Sequence, residues 1–115
     1  MTIIKYDQVE MSNVIMDGAN NVSKAITVGT REGWDGHVMR LFRIGPGGYT
    51  PKHAHDWEHV VYVATGNGKV SIGGDTHELE RGDYVFVPPN AEHQFRNSAD
   101  GDFEFICIVP DRGEY

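Results

Sequence analysis

The sequence predicts an all-β fold in a single domain, built as an antiparallel sandwich or barrel. Helix signals are weak: fourteen glycines and five prolines cut the 115 residues into short pieces, and few stretches carry a 3.6-residue apolar period. Strand signals recur instead, as short runs rich in Val, Ile, Phe and Tyr set between turn residues. Runs this short and this regular fit a sandwich or barrel.

In chain order, the first strand is expected over residues 22–28 and the second over 37–44, closed by the turn residues Gly45-Pro46-Gly47-Gly48. The third, 58–64, meets Gly66-Asn67-Gly68. That segment reads as a hairpin turn and not a phosphate loop, because the loop spacing and the following helix are missing. Strands 69–72 and 76–79 flank Gly73-Gly74-Asp75, and 84–87 follows Arg81-Gly82-Asp83. Strands 92–96 and 103–109 complete the set. Residues 1–20 are less patterned and read as an N-terminal arm or strand, a candidate for packing on a second subunit. Residues 21–115 form the barrel domain.

A net charge of −7 argues against a nucleic-acid or anionic-membrane partner, since phosphate binding needs a cationic face. The single cysteine, Cys107, excludes an intramolecular disulfide, so stability must come from the core. The first residues lack the apolar stretch of a signal peptide, and the longest apolar run, 105–109, is too short to span a bilayer. A cytoplasmic location is the expectation.

Chemistry is concentrated in histidine. His53, His55 and His59 lie in His53-Ala54-His55-Asp56-Trp57-Glu58-His59, and His93 follows in Pro88-Pro89-Asn90-Ala91-Glu92-His93. On an extended strand the first three share one face, and a neighbouring strand brings His93 into the same cleft. Neutral imidazoles gather on a metal without mutual repulsion. The same parity turns Val61 and Val63 inward, and places His93, Phe95 and Asn97 on one face. His37 and His77 read as surface or core histidines.

Two stretches then resemble the paired signatures of the cupin superfamily. The first is Gly47, His53-x-His55, His59 and Gly66; the second is Gly82, Pro88-x-Asn90, His93 and Asn97. With their connecting segment they cover residues 47–97. The resemblance implies a cupin, or jelly-roll, barrel. Family members usually carry glutamate where this chain has His59 and glycine where it has Asn90; asparagine also tolerates a left-handed turn. The histidine run resembles the small manganese-binding four-histidine cupins. It implies one divalent ion on His53, His55, His59 and His93: manganese first, iron(II) next, with nickel, cobalt, copper or zinc also able to accept imidazoles. Cupins often pair through sheet edges, so a homodimer is expected.

Four neutral ligands leave the ion its full double positive charge and, if it is six-coordinate, two open positions for water or substrate. The leading function is a metalloenzyme of oxygenase type, acting on a small organic substrate with dioxygen or peroxide. Its rivals are a metal-dependent binding or sensing module, and a non-redox isomerase or decarboxylase. Candidate pocket residues are Arg40, Trp57, Val61, Phe95, Phe105 and Cys107. Arg40 is read either as part of a solvated face or as a partner for an anionic substrate, and Cys107 as a buried core residue or a neighbour of the metal. Trp57 serves as pocket wall or core anchor. Glu92, Asn97 or backbone carbonyls are candidates to orient the imidazoles.

Overall fold

A computed structural model describes residues 1–114, which form a curled, wholly antiparallel sheet of nine strands. These are β1 (Ser12–Asn13), β2 (Asn20–Val28), β3 (His37–Tyr49), β4 (His59–Thr65), β5 (Asn67–Ile72), β6 (Asp75–Glu80), β7 (Tyr84–Val87), β8 (His93–Arg96) and β9 (Phe103–Pro110). Hydrogen bonds order them β6-β5-β8-β3-β9-β4-β7, with β2 on β3 and β1 on β2. Long-range pairing of β3 with both β8 and β9 wraps the sheet into the expected jelly-roll barrel. Helix is confined to three short 3-10 turns among the described residues, Tyr6–Gln8, Thr30–Glu32 and Asp111–Gly113. No helix among them is long and apolar enough to cross a membrane.

Strand alternation builds the core. On β4, His59, Val61 and Val63 are buried while Val60 and Tyr62 face out. On β9, Phe103, Phe105, Cys107 and Val109 point in. Burying each phenylalanine contributes about 1.5–3 kcal/mol. Glu104 breaks the pattern, a carboxylate buried among apolar neighbours. It accepts hydrogen bonds from Arg43 Nε at 2.7 Å and from the Tyr6 hydroxyl at 2.6 Å. These hydrogen bonds, helped by its negative charge, raise the pKa of both partners. Through Tyr6, the segment expected to be a loose arm is pinned to its own barrel.

Two expectations about strands are corrected. Gly45-Pro46-Gly47-Gly48 does not end a strand: β3 continues through it to Tyr49. The Gly47 N–H donates to the Asn97 carbonyl and the Asn97 N–H to that of Gly48, so pairing passes from β9 to β8 across a bend that glycine permits. Nor is 53–59 a continuous strand carrying three histidines on one face. His53 makes an isolated bridge to His93, the chain bends at Asp56 and Trp57, and β4 begins only at His59.

Gly66 occupies a position only glycine tolerates. Its φ is +77°, and an added Cβ would collide with the Asp102 carbonyl oxygen.

Candidate metal centre

Three elements deliver the histidines. His59 opens β4, His93 opens β8, and His53 and His55 ride the segment between β3 and β4. That segment is stitched to the barrel by backbone bonds: the His53 N–H donates to the His93 carbonyl at 3.0 Å, and the reciprocal bond is 2.8 Å. The Asn90 N–H holds the His55 carbonyl, with Asn90 in the left-handed region at φ 69°. Trp57 stacks on the His55 ring at 4.5 Å and 2°, with the Arg112 guanidinium 5.2 Å from its centroid. The bend at Asp56 is held by Arg112, which donates to its carboxylate at 2.6 Å. This stacking bend replaces strand parity as the device that aims His55.

The result is a compact cluster. Candidate donor atoms of His55, His59 and His93 all lie within 4.8 Å of one another. An ion with bonds of about 2.1 Å sets three donors about 3.0–3.6 Å from one another, so side-chain rotation must draw the widest pair together by about 1–2 Å to close the set. The donor atoms of His53 are not within that limit, although its ring is 5.1 Å from that of His55, no farther than those of His59 and His93.

A hydrogen bond selects the tautomer of His93. His93 Nδ1 lies 3.0 Å from the Ala91 carbonyl, which can only accept, so Nδ1 carries the proton and Nε2 presents a lone pair. His59 turns Nδ1 to Cys107 Sγ at 3.4 Å, while its buried Nε2 has no hydrogen-bond partner. With the His59 proton on Nδ1, this orphaned Nε2 offers a lone pair beside two other imidazoles, as a divalent ion requires. Burial lowers the pKa of all three histidines, with neighbouring positive charge adding to the effect, and His59 falls to about 3. All three are therefore neutral donors at ordinary pH. The imidazole-orienting role falls to the Ala91 carbonyl. Asn97 instead donates to the carbonyls of Ile44 and Gly101, and Glu92 is exposed.

The sequence of this barrel matches the family model described as a cupin domain over residues 40–109. The chain belongs to the cupin family. Among similar proteins, it is 34% identical over 71 residues to 1-methylthio-D-xylulose 5-phosphate methylsulfurylase of Rhodospirillum rubrum, covering 62% of this chain and 46% of that one. It is 31% identical over 82 residues to polyketide synthase CurC of Streptomyces cyaneus, covering 70% and 51%. This cupin spans about half the length of the curated relatives it matches. Among solved structures, the polyketide cyclase RemF from Streptomyces resistomycificus aligns with a TM-score of 0.89 at 28% identity, covering 96% of this chain and 79% of that one. A predicted oxalate decarboxylase from Thermotoga maritima shares the fold at 0.86 but only 18% identity, covering 95% and 98%.

In this cupin the cluster opens into a cavity of about 230 Å³. Phe95, Phe105, Cys107 and Arg40 line it, as do all four histidines. Arg40 does not belong to a solvated face: it is 7% exposed, because its register opposite Cys107 on β9 turns it inward. Two of the expected wall residues are absent from the lining. Val61 is buried in the core, 1% exposed, and Trp57 backs His55 from behind. His37 and His77 are exposed and are not among the residues that line the cavity. Sequence reasoning missed Lys24, Phe42 and Glu114. Phe42 could have been found, since it shares strand parity with Arg40; Glu114 follows the last strand and carries no periodic signal.

Proposed function

We propose that the chain is a mononuclear metalloenzyme, with one divalent ion on His53, His55, His59 and His93 and a small organic substrate in the adjoining cavity. The observation that carries this reading is the buried, unpartnered Nε2 of His59 within the His55 and His93 donor cluster. Manganese is favoured and iron(II) is next, by family resemblance; the donor set itself accepts several metals. When bound, the ion would supply Lewis-acid polarisation of a substrate oxygen.

The chain's own residues supply the rest. The Ala91 carbonyl fixes His93, Cys107 fixes the rotation of His59, and Trp57 fixes His55. Among the described residues no carboxylate joins the trio, so its neutral donors would leave the charge of a bound ion uncancelled and favour an enolate or another anion. Phe95 and Phe105 form an apolar wall that keeps water from that anion. On this basis the reaction is of oxygenase type, with an enolised substrate and dioxygen or peroxide. A second reading has independent support: similar proteins are named polyketide synthase and polyketide cyclase, and ring closure through an enolate needs the same polarisation without oxygen.

The test is elemental analysis of protein purified without added metal, followed by oxygen-electrode assays on diketones and phenolic substrates. One ion per chain with metal-dependent oxygen uptake is expected. Product without oxygen uptake transfers the assignment to the non-redox reading, and ligand binding without product leaves a binding module. Failure to take up manganese or zinc even on soaking overturns the metal centre.

A further inference from the structure

A second set of polar groups faces the same cavity, and the metal reading makes no use of it. The Arg40 guanidinium donates from Nη1 to Glu114 Oε1 at 3.2 Å and from Nη2 to Cys107 Sγ at 3.0 Å. Its Nε is buried and has no hydrogen-bond partner among the described residues. Lys24 Nζ lies 2.8 Å from the other oxygen, Glu114 Oε2. A carboxylate therefore bridges two cations inside a cavity that the four histidines also line. It is delivered by no barrel strand, but by the residue after the short turn Asp111–Gly113.

A floor of aromatic rings joins the cations to the histidines. The Arg40 guanidinium lies 4.9 Å from the centroid of Phe42. Phe42 stacks on Phe105 at 5.2 Å and 15°, and Phe105 on Phe95 at 4.4 Å and 28°. Phe95 in turn lies 6.5 Å from the His93 ring.

We propose that Arg40 and Lys24 form an anion-binding subsite for a planar aromatic carboxylate, and that Glu114 is an intramolecular stand-in which this ligand displaces. Three observations support it. Arg40 is under-satisfied: among the described residues two of its five donors are engaged, one of them by sulfur, a weak acceptor. Guanidinium forks match carboxylates in two-pronged geometry, which Glu114 uses with one prong only. The bond from Lys24 to Glu114 is cheap to break, since the lysine side chain is 35% exposed and water screens the pair.

Charge and shape agree. With Glu114 seated, the two cations leave one positive charge unbalanced; with it withdrawn they leave two. Phe42, Phe95 and Phe105 supply the cavity with an apolar aromatic wall against which the ring of an aromatic ligand packs. At about 230 Å³ the cavity falls below the ~300–1,000 Å³ of common ligand pockets, and withdrawal of Glu114 enlarges it. The proposal rests on the reading that this cavity is the ligand site, and it requires no metal.

The experiment uses the full chain after chelator treatment, titrated calorimetrically with benzoate and with its neutral isostere benzamide. The decisive variant is Glu114→Gln, which removes the competing charge from a residue outside the barrel strands. Benzoate is expected to bind the wild type, and to bind E114Q about tenfold or more tightly, the lower end of what one charge-assisted hydrogen bond contributes. Benzamide affinity should be the same for both proteins. Arg40→Gln should remove the preference for benzoate over benzamide, with thermal unfolding reporting that the variant is folded. Equal benzoate affinity in wild type and E114Q, benzamide binding as well as benzoate, or no benzoate binding to either protein at millimolar concentration each overturn the subsite. Elemental analysis of untreated protein runs alongside. Absence of metal there and after soaking with manganese or zinc removes the metal centre and leaves the benzoate result standing, whereas failure of the benzoate arm leaves the metal centre standing.

Discussion

Arg40 and Cys107 face each other across β3 and β9, with Nη2 3.0 Å from Sγ, and the same sulfur lies 3.4 Å from Nδ1 of His59. One buried thiol thus spaces a permanent cation from the histidine cluster. Burial pushes the thiol pKa up, against the opposing pull of Arg40, so the sulfur stays protonated and adds no charge to the site.

Replacing Cys107 with alanine takes away a partner of both Arg40 Nη2 and His59 Nδ1. The variant should lose about 1–3 kcal/mol in urea unfolding, the cost of leaving buried polar groups unpaired. Metal affinity should fall about 10–100-fold, because His59 loses the contact that orients its ring. Cys107→Ser, whose hydroxyl also accepts, should recover part of both. Unchanged metal affinity in the alanine variant would show that the thiol does not position His59.

Alanine at His55, His59 or His93 should reduce bound metal to a small fraction of one ion per chain, since each supplies one of the three clustered donors. Alanine at His53 should weaken binding while retaining it, as its donor atoms lie outside that trio. Elemental analysis after gel filtration reads all four. Equal loss at His53 would mean that the ion draws the fourth ring fully into its shell.

Metal-free protein should lose stability as the medium is acidified. Burial holds His59 at about 3, far below the ordinary 6.5, and it depresses His55 and His93 in the same direction. Between those values the unfolded chain takes up a proton that the folded chain refuses, so stability rises with pH. The contribution of His59 is complete above about 6.5, wanes as pH falls, and levels off below about 3. Each titrating histidine can add a slope of up to about 1.4 kcal/mol per pH unit. Urea unfolding of chelator-treated protein from about pH 4 to about pH 7 measures it, and His59→Phe should flatten the curve. A level profile in the wild type would refute the assignment.

The outer face of β4 and β7 carries a patch of four exposed apolar side chains. Val60 lies opposite Phe86 and Tyr62 opposite Tyr84, with Tyr84 81% and Phe86 61% exposed. β7 also ends the strand order, so its outer backbone edge is open to a second copy. We propose homodimerisation there. Tyr84→Lys with Phe86→Lys should yield monomers by light scattering without changing metal content. Dimers that survive both charges would place the interface elsewhere.

Much of the fold could be read from residue pattern alone. Alternation on β4 and β9 sorted inward from outward residues correctly, because a strand's two-residue period leaves no other option once one face is buried. The two signatures led to the family, and the asparagine in place of glycine at position 90 was legible as a left-handed turn. Elsewhere local pattern misled. The glycine run in β3 reads as a stop, yet long-range partners carry the strand through it.

Sequence by itself determined the all-β class, the histidine-rich cleft and the alternation of its strands, since each follows from local spacing and side-chain chemistry, while the barrel was implied by the family resemblance. Tertiary structure alone decided which histidines converge, that Trp57 backs His55 instead of lining the cavity, and that Arg40 turns inward toward Cys107 and Glu114. The physical reason is that these contacts join residues far apart in the chain, such as Arg40 and Glu114. Their meeting depends on strand register and on the path of connecting segments, neither of which leaves a periodic mark in the residues themselves.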